Sequence, residues 1–236
     1  MSTTEPKFEN VANVSSGIGV LSVKQNTLRG KPVIGHPSPT LDGGGKGTVL
    51  TIAHAANVTL TGLRIQRGKA PYEGGGIVVG VQGQRAHNSV VRLVDTLVTG
   101  NTGGSGGGIF TRCCHFVILR GTSAVKDNFS CDGGGAFIQG NFWLKDTSVV
   151  ARNRAGGARC RRYTGLGGGI YVQGSMELFD SASVVRNHAA RGGGGVFLDG
   201  DLGGILFAHR GWTGKVKNND PNDCTPTVTL GNTTCD

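Results

Sequence analysis

Three aspartates raise the first chemical question. Asp95, Asp146 and Asp180 each precede Thr or Ser, in the runs VDTLV, KDTSV and FDSAS. Two carboxylates held a few ångströms apart can hydrolyse a glycosidic bond. An acidic cluster that binds calcium beside an Arg or Lys base can support lyase chemistry on an acidic sugar. Asp followed by Thr or Ser is also ordinary bend chemistry, in which the carboxylate accepts backbone N–H bonds. No other acidic residue aligns beside these three. The expectation is therefore a non-catalytic protein, with a polysaccharide lyase or glycoside hydrolase as the alternative.

The basic residues suggest binding instead. The segment ARNRAGGARCRRYTGLGGG gathers Arg152, Arg154, Arg159, Arg161 and Arg162 beside Tyr163. Planar guanidinium groups recognise phosphate, sulfate or carboxylate through paired hydrogen bonds, so this segment is the candidate ligand-binding site. The competing reading is a solvated loop whose charges aid solubility. His54, His87, His115, His188 and His209 share no spacing. With no CxxC pair and no Lys-Ser/Thr after any Gly run, no metal site, phosphate loop or cofactor is expected.

Composition narrows the setting. Gly supplies 43 of 236 residues, against a usual ~7%, but without the strict one-in-three period of collagen. Hydrophobic residues at 37% and charged residues at 17% exclude a wholly disordered chain. A net charge of +9 favours anionic partners: acidic polysaccharide, envelope components or nucleic acid. No apolar stretch reaches the ~20 residues of a membrane span, and the N-terminus lacks the basic start and apolar run of a signal peptide.

These residues must be held by a repeat. Gly-Gly-Gly followed by an aliphatic residue recurs at Gly74, Gly106, Gly133, Gly167 and Gly193, with an aromatic next in the last four. Between the triplets run VVRLVDTLVTGN, FVILRGTSAVKDN, FWLKDTSVVARN and MELFDSASVVRN. Aligned, they give apolar columns such as Val58, Val91, Val117, Phe142 and Met176, then Leu60, Leu93, Leu119, Leu144 and Leu178, and then Ile65, Val98, Val125, Val150 and Val184. Alternation with period two means strands, and no helical stripe is present. The expected fold is all-β: a single-stranded right-handed parallel β-helix of roughly seven coils with a period of roughly 26 residues. Residues 1–30 are expected as an N-terminal arm or cap, 31–219 as the β-helix, and 220–236 as a capping tail.

Two turn devices follow. Asn101, Asn128, Asn153 and Asn187 share one turn, where Asn tolerates the left-handed conformation and its amide can bond to the coils above and below. The triplets, centred on Gly107, Gly134, Gly168 and Gly194, mark the opposite corner, where the backbone bends with positive φ or passes close to a neighbour. Phe110, Phe137, Tyr171 and Phe197 form an aromatic column. It is an outward stacking platform if Ile109 and its equivalents point inward, and core if the triplet shifts the register. Cys131 and Cys160 lie in equivalent loops of successive coils, so a disulfide suits them, and Cys224 with Cys235 would staple the tail. The neighbours Cys113 and Cys114 do not easily bond to each other.

The pattern of Asn, short loop, Gly-Gly-Gly, aliphatic and aromatic resembles the repeat of chlamydial polymorphic outer-membrane proteins (Pmp) and of secreted bacterial β-helix proteins of the pectin-lyase-like fold. TLDGGGKGTVLTIAHAANVTLTGLRIQRGKA looks like the first coils of that group, and NNDPNDCTPTVTLGNTTCD like its closing segment. The resemblance implies a structural or adhesin-like protein at a cell surface, outside the cell or in a virion. Binding to anionic glycans or envelopes would use the Arg-rich loop, and the open ends of a β-helix would take a protein partner or a second copy.

Overall fold

The computed structural model describes residues 19–21, 25–29, 38–52, 56–80, 88–158, 160, 165–231 and 233–236. Three parallel sheets wind around one core. The first runs Gly19–Leu21, Leu50–Ile52, Ile77–Val79, Ile109–Thr111, Ala136–Ile138, Ile170–Val172, Val196–Leu198, Cys224–Thr225. The second stacks Gln25–Arg29, Asn57–Thr61, Val90–Val94, Phe116–Arg120, Asn141–Leu144, Ser175–Leu178 and Ile205–Ala208. The third stacks Thr40–Asp42, Arg64–Gln66, Leu97–Thr99, Ala124–Lys126, Val149–Ala151, Ser183–Val185 and Val216–Lys217. Each coil contributes one strand to each sheet, which makes the fold a parallel β-helix. Its strands are too short to stand alone; neighbouring coils supply both the hydrogen bonds and the apolar cover.

The repeat columns are the ladder register. Val58 pairs with Val91, Val91 with Val117, Val117 with Phe142 and Phe142 with Met176. Leu60, Leu93, Leu119, Leu144 and Leu178, and Ile65, Val98, Val125, Val150 and Val184, are likewise fully buried. Burying each Leu or Val contributes roughly 1.5–3 kcal/mol, so an aligned column stabilises every coil it crosses.

The ladders extend past the expected boundaries. Leu21 pairs with Ile52 and Leu28 with Leu60 inside the expected arm. At the other end Cys224 continues the column of Val196. Apolar residues in register propagate the coil, whatever the composition around them. After the last coil the winding stops, and an antiparallel pair, Val228–Leu230 with Thr233–Cys235, lays Leu230 and Cys235 into the core. The Cys224–Cys235 disulfide holds it there.

The triplets combine two demands. Gly133 and Gly167 have φ of 63° and 65°, which a side chain rarely adopts. The middle glycine is needed for space: a Cβ on Gly168 would lie 2.4 Å from the carbonyl oxygens of Gly194 and His188. The third packs on the Asn turn, since a Cβ on Gly135 would meet the Asn153 amide nitrogen at 2.8 Å. The triplet therefore lies against the Asn turn and not at the opposite corner. The segment between them folds back tightly, adding a narrow fourth sheet of Phe129–Ser130, Arg154–Ala155 and His188–Ala189.

Candidate functional site

Two turns of each coil set the polar chemistry. At the turn from second to third sheet, Gly62, Asp95, Gly121, Asp146 and Asp180 all adopt φ between 49° and 65°. Asp is favoured there beside Gly because its short side chain tolerates the left-handed region. Each carboxylate is turned back onto the scaffold. Asp95 Oδ1 accepts from the Thr122 N–H at 2.9 Å and from its hydroxyl at 3.0 Å. Asp146 Oδ2 accepts from the Gly121 N–H at 2.7 Å, and Asp180 Oδ2 from the Asp146 N–H at 2.9 Å. This column caps backbone donors across successive coils, the bend chemistry that its Thr and Ser neighbours suggested.

The turn after the third sheet is built differently. Asn101, Asn128, Asn153 and Asn187 are buried in an amide ladder along the axis. Asn153 Oδ1 accepts from the Asn128 N–H and Nδ2, both at 3.0 Å, while Asn153 Nδ2 donates to Val125 O at 2.9 Å and Asn187 Oδ1 at 3.0 Å. The ladder continues to Asn219, where Asp223 Oδ1 closes it at 2.8 Å. The left-handed residue is the one before each Asn, Gly100, Asp127, Arg152, Arg186 and Asn218, and Arg67 before Gly68 in the coil below, with φ from 53° to 64°. The Asn is thereby freed to turn inward and bond, and its predecessor projects outward.

That outward column is basic where it leaves the scaffold's own ion pairs. Arg67 is bound by Asp42 on the preceding coil at 2.8 Å. Arg152 meets Asp127 through parallel bonds of 2.8 and 2.9 Å. The Arg67 bonds, with help from Gln66 and Gly44, lower the Asp42 carboxyl to about 2. One coil further, Arg186 follows the ion-paired Arg152 at the same left-handed position and is exposed. Arg154 and Arg191 near the fourth sheet and Lys217 at the end of the third sheet are exposed, and like Arg186 they have no carboxylate partner among the described residues. The carboxylate of Asp220 is held by His188 Nδ1 at 2.6 Å. Coils are spaced about 4.8 Å apart, so this corner offers a run of guanidinium and ammonium groups along the axis.

The Arg-rich insertion opens from the same corner. Gly156 and Gly157, with φ of 89° and 137°, carry the chain out, and Gly165 at 71° returns it. Cys160 is bonded to Cys131 of the preceding coil, Cα to Cα 5.3 Å, which fixes the base of the loop. Arg159, Arg161, Arg162 and Tyr163 lie outside the described residues. Arg186 was legible in sequence as the residue before Asn187, aligned with Arg152. Lys217 was hidden because Asn219 falls in a tail that shares no obvious repeat.

The aromatic column of the first sheet points outward, since the residue before each ring, Ile109, Ala136, Ile170 and Val196, is fully buried on the inner face. It offers no platform, however. Phe110, Phe137 and Tyr171 stack on one another at centroid distances of 5.5 and 4.6 Å, and Tyr171 meets Phe197 at 4.9 Å. Ring faces spent on each other cannot take a sugar, so the column is a spine along the coils. Tyr171 donates to Asp199 Oδ2 at 2.7 Å, and burial together with that bond raises its pKa.

A second aromatic group, on the outer face of the second sheet, was not foreseen. Phe179 lies between His209, ring to ring at 3.8 Å, and Lys145 Nζ, 3.8 Å from its centroid. Trp143 crosses it edge-on, and Glu177 holds His209 Nε2 at 2.6 Å. The His, Glu, Lys and Phe come from three successive coils, and neither their types nor their spacing marks them in sequence. Among the described residues no three His, Cys, Asp or Glu side chains gather as metal ligands, and no helix is long and apolar enough to cross a membrane. No family model, no curated protein and no solved structure matches the chain.

Proposed function

We propose that the protein is a non-catalytic β-helical module of an adhesin-like kind that binds anionic polysaccharide along the basic corner beside the Asn ladder. One observation carries this reading: successive coils place Arg152 and Arg186 at the same left-handed turn, with Arg154, Arg191 and Lys217 at the same corner, and among the described residues no carboxylate answers Arg186. A scaffold serving stability alone gains by alternating sign, as it does at Arg67 with Asp42 and Arg152 with Asp127. An exposed cation that the scaffold leaves unanswered is free to take an external anion, and forks of donors suit sulfate and carboxylate groups. The surface, extracellular or virion setting implied by the Pmp-like repeat belongs to the same proposal.

Retention on immobilised heparin tests it. The triple variant Arg154→Ala/Arg186→Ala/Lys217→Ala is expected to elute at markedly lower salt than the parent, with an unchanged unfolding midpoint, because the contact is electrostatic and screened by ions. Equal elution of the two would refute the proposal. Preference for single-stranded nucleic acid over heparin in competition would move the assignment to a nucleic-acid partner. New chain ends appearing in a uronate polymer incubated with the protein would move it to a polysaccharide lyase or glycoside hydrolase.

A further inference from the structure

We propose that Cys113 and Cys114 are a cross-linking pair, through which two copies of this chain join by disulfides between their turns. The observation is an insertion. Thr111 and Phe116 pair in register with Ile138 and Asn141, yet the later coil places only Gln139 and Gly140 between its strands, and the one after only Gln173 and Gly174. Hydrogen bonds fix the equivalence. The Arg112 N–H donates to Val79 O as the Gln139 N–H does to Thr111 O, and the Phe116 N–H donates to Ser89 O as the Asn141 N–H does to His115 O. Arg112 therefore stands where Gln139 stands and His115 where Gly140 stands. Relative to these two coils the added residues are Cys113 and Cys114 alone; the same turn is longer still between Val79 and Val90 and between Leu198 and Ile205. A turn lengthened for geometry draws on Gly, Asn, Asp or Pro; this one draws on two thiols, with Cys114 at φ 69°.

The base of the turn is firm. His115 is fully buried and accepts the Ser89 N–H at Nδ1, 3.0 Å away. Gly80 leaves room for its ring, since a Cβ there would lie 2.5 Å from Nε2. Above that base both cysteines are exposed and unbonded to other cysteines. The remaining four are in disulfides, so conditions that form those bonds offer the same chemistry to this pair. Closing on each other is poor: adjacent Cα atoms lie about 3.8 Å apart across a trans peptide, below the roughly 4.4–6.8 Å that disulfides span. A bond to another chain has no such limit. A two-fold axis sets Cys113 of one copy against Cys114 of the other twice over, the self-complementary contact of a symmetric dimer. Charge does not oppose it, because Glu73 neutralises the adjacent Arg112.

In each bond formed, two thiols give up two protons and two electrons to a low-molecular-weight disulfide, which leaves as two thiols. The test titrates the purified full chain with oxidised glutathione over a range of protein concentrations. It is read by non-reducing electrophoresis and peptide mass spectrometry. The expected result is a dimer that grows with concentration, is linked through peptides containing Cys113 and Cys114, and is lost in Cys113→Ser/Cys114→Ser, whose unfolding midpoint stays at the parent's. A monomer lighter by two hydrogens with Cys113 bonded to Cys114, a monomer carrying glutathione on these residues, or a dimer linked elsewhere would each overturn the proposal.

Discussion

Two turns of this β-helix share one backbone conformation and opposite uses of charge. Between the second and third sheets, Asp95, Asp146 and Asp180 sit at positive φ and bend their carboxylates back onto N–H groups of adjacent coils. After the third sheet, Arg67, Arg152 and Arg186 sit at the same φ, but their longer side chains project outward, where Arg67 and Arg152 meet carboxylates of the preceding coil and not its backbone. The difference is one of length. A carboxylate one carbon from the backbone is consumed by the scaffold, whereas a guanidinium several carbons out stays at the surface. An internal Asn ladder makes the second turn possible, because it satisfies the buried backbone without using the outward residue.

The comparison can be broken hardest at the ladder. Asn153→Ala leaves the buried Asn128 N–H without its partner and takes one bond each from Asn128 Nδ2 and Asn187 Oδ1, a cost of about 3 kcal/mol, seen as a lower denaturant midpoint. An unchanged midpoint would mean that the ladder does not carry the basic turn. The acidic turn should yield less. Asp146→Ala loses the cap on Gly121 and puts Ala at φ 58°, about 1–2 kcal/mol. Asp146→Gly loses the cap but not the conformation, and falls within about 1 kcal/mol of the parent. If both substitutions cost the same, the carboxylate and not the left-handed turn explains the Asp column.

The smallest effect is on acid stability. The Asp42 carboxyl titrates near 2 in the folded chain and near 3.9 when unfolded, so folding favours its charged form. That contribution is fully present above about pH 4 and fades as pH falls toward about 2. Asp42→Asn should flatten the parent's stability profile across this interval and leave it parallel above. Because both partners are partly solvated, the change is slight.

Much of the fold was legible because the coil repeats itself. Columns such as Leu60, Leu93, Leu119, Leu144 and Leu178 are aligned in sequence by nearly constant spacing, and stacking turns that alignment into register. The buried role of Asn153 followed from its place in the same column. Its conformation did not: the left-handed position belongs to Arg152, and only the hydrogen bonds reveal that Asn turns inward when its predecessor takes the strained φ. The Arg cluster was visible as a run of letters. Its extension to Arg186 follows from the aligned Asn column, whereas Lys217 needed the coils wound, since only the ladder register sets it beside Val185 of the coil before.

The sequence by itself determined the winding: strands of period two, glycines where neighbouring backbones touch, and apolar columns that exclude every arrangement but stacked coils. Those are local or periodic properties, written in each repeat. Tertiary structure decided where the polar side chains end. Whether an Asp caps a neighbour or faces solvent, whether four aromatics present faces or spend them on each other, and whether an Arg finds a carboxylate all depend on the coil above and below. Such partners lie some 25–35 residues away, at distances that composition and spacing do not encode.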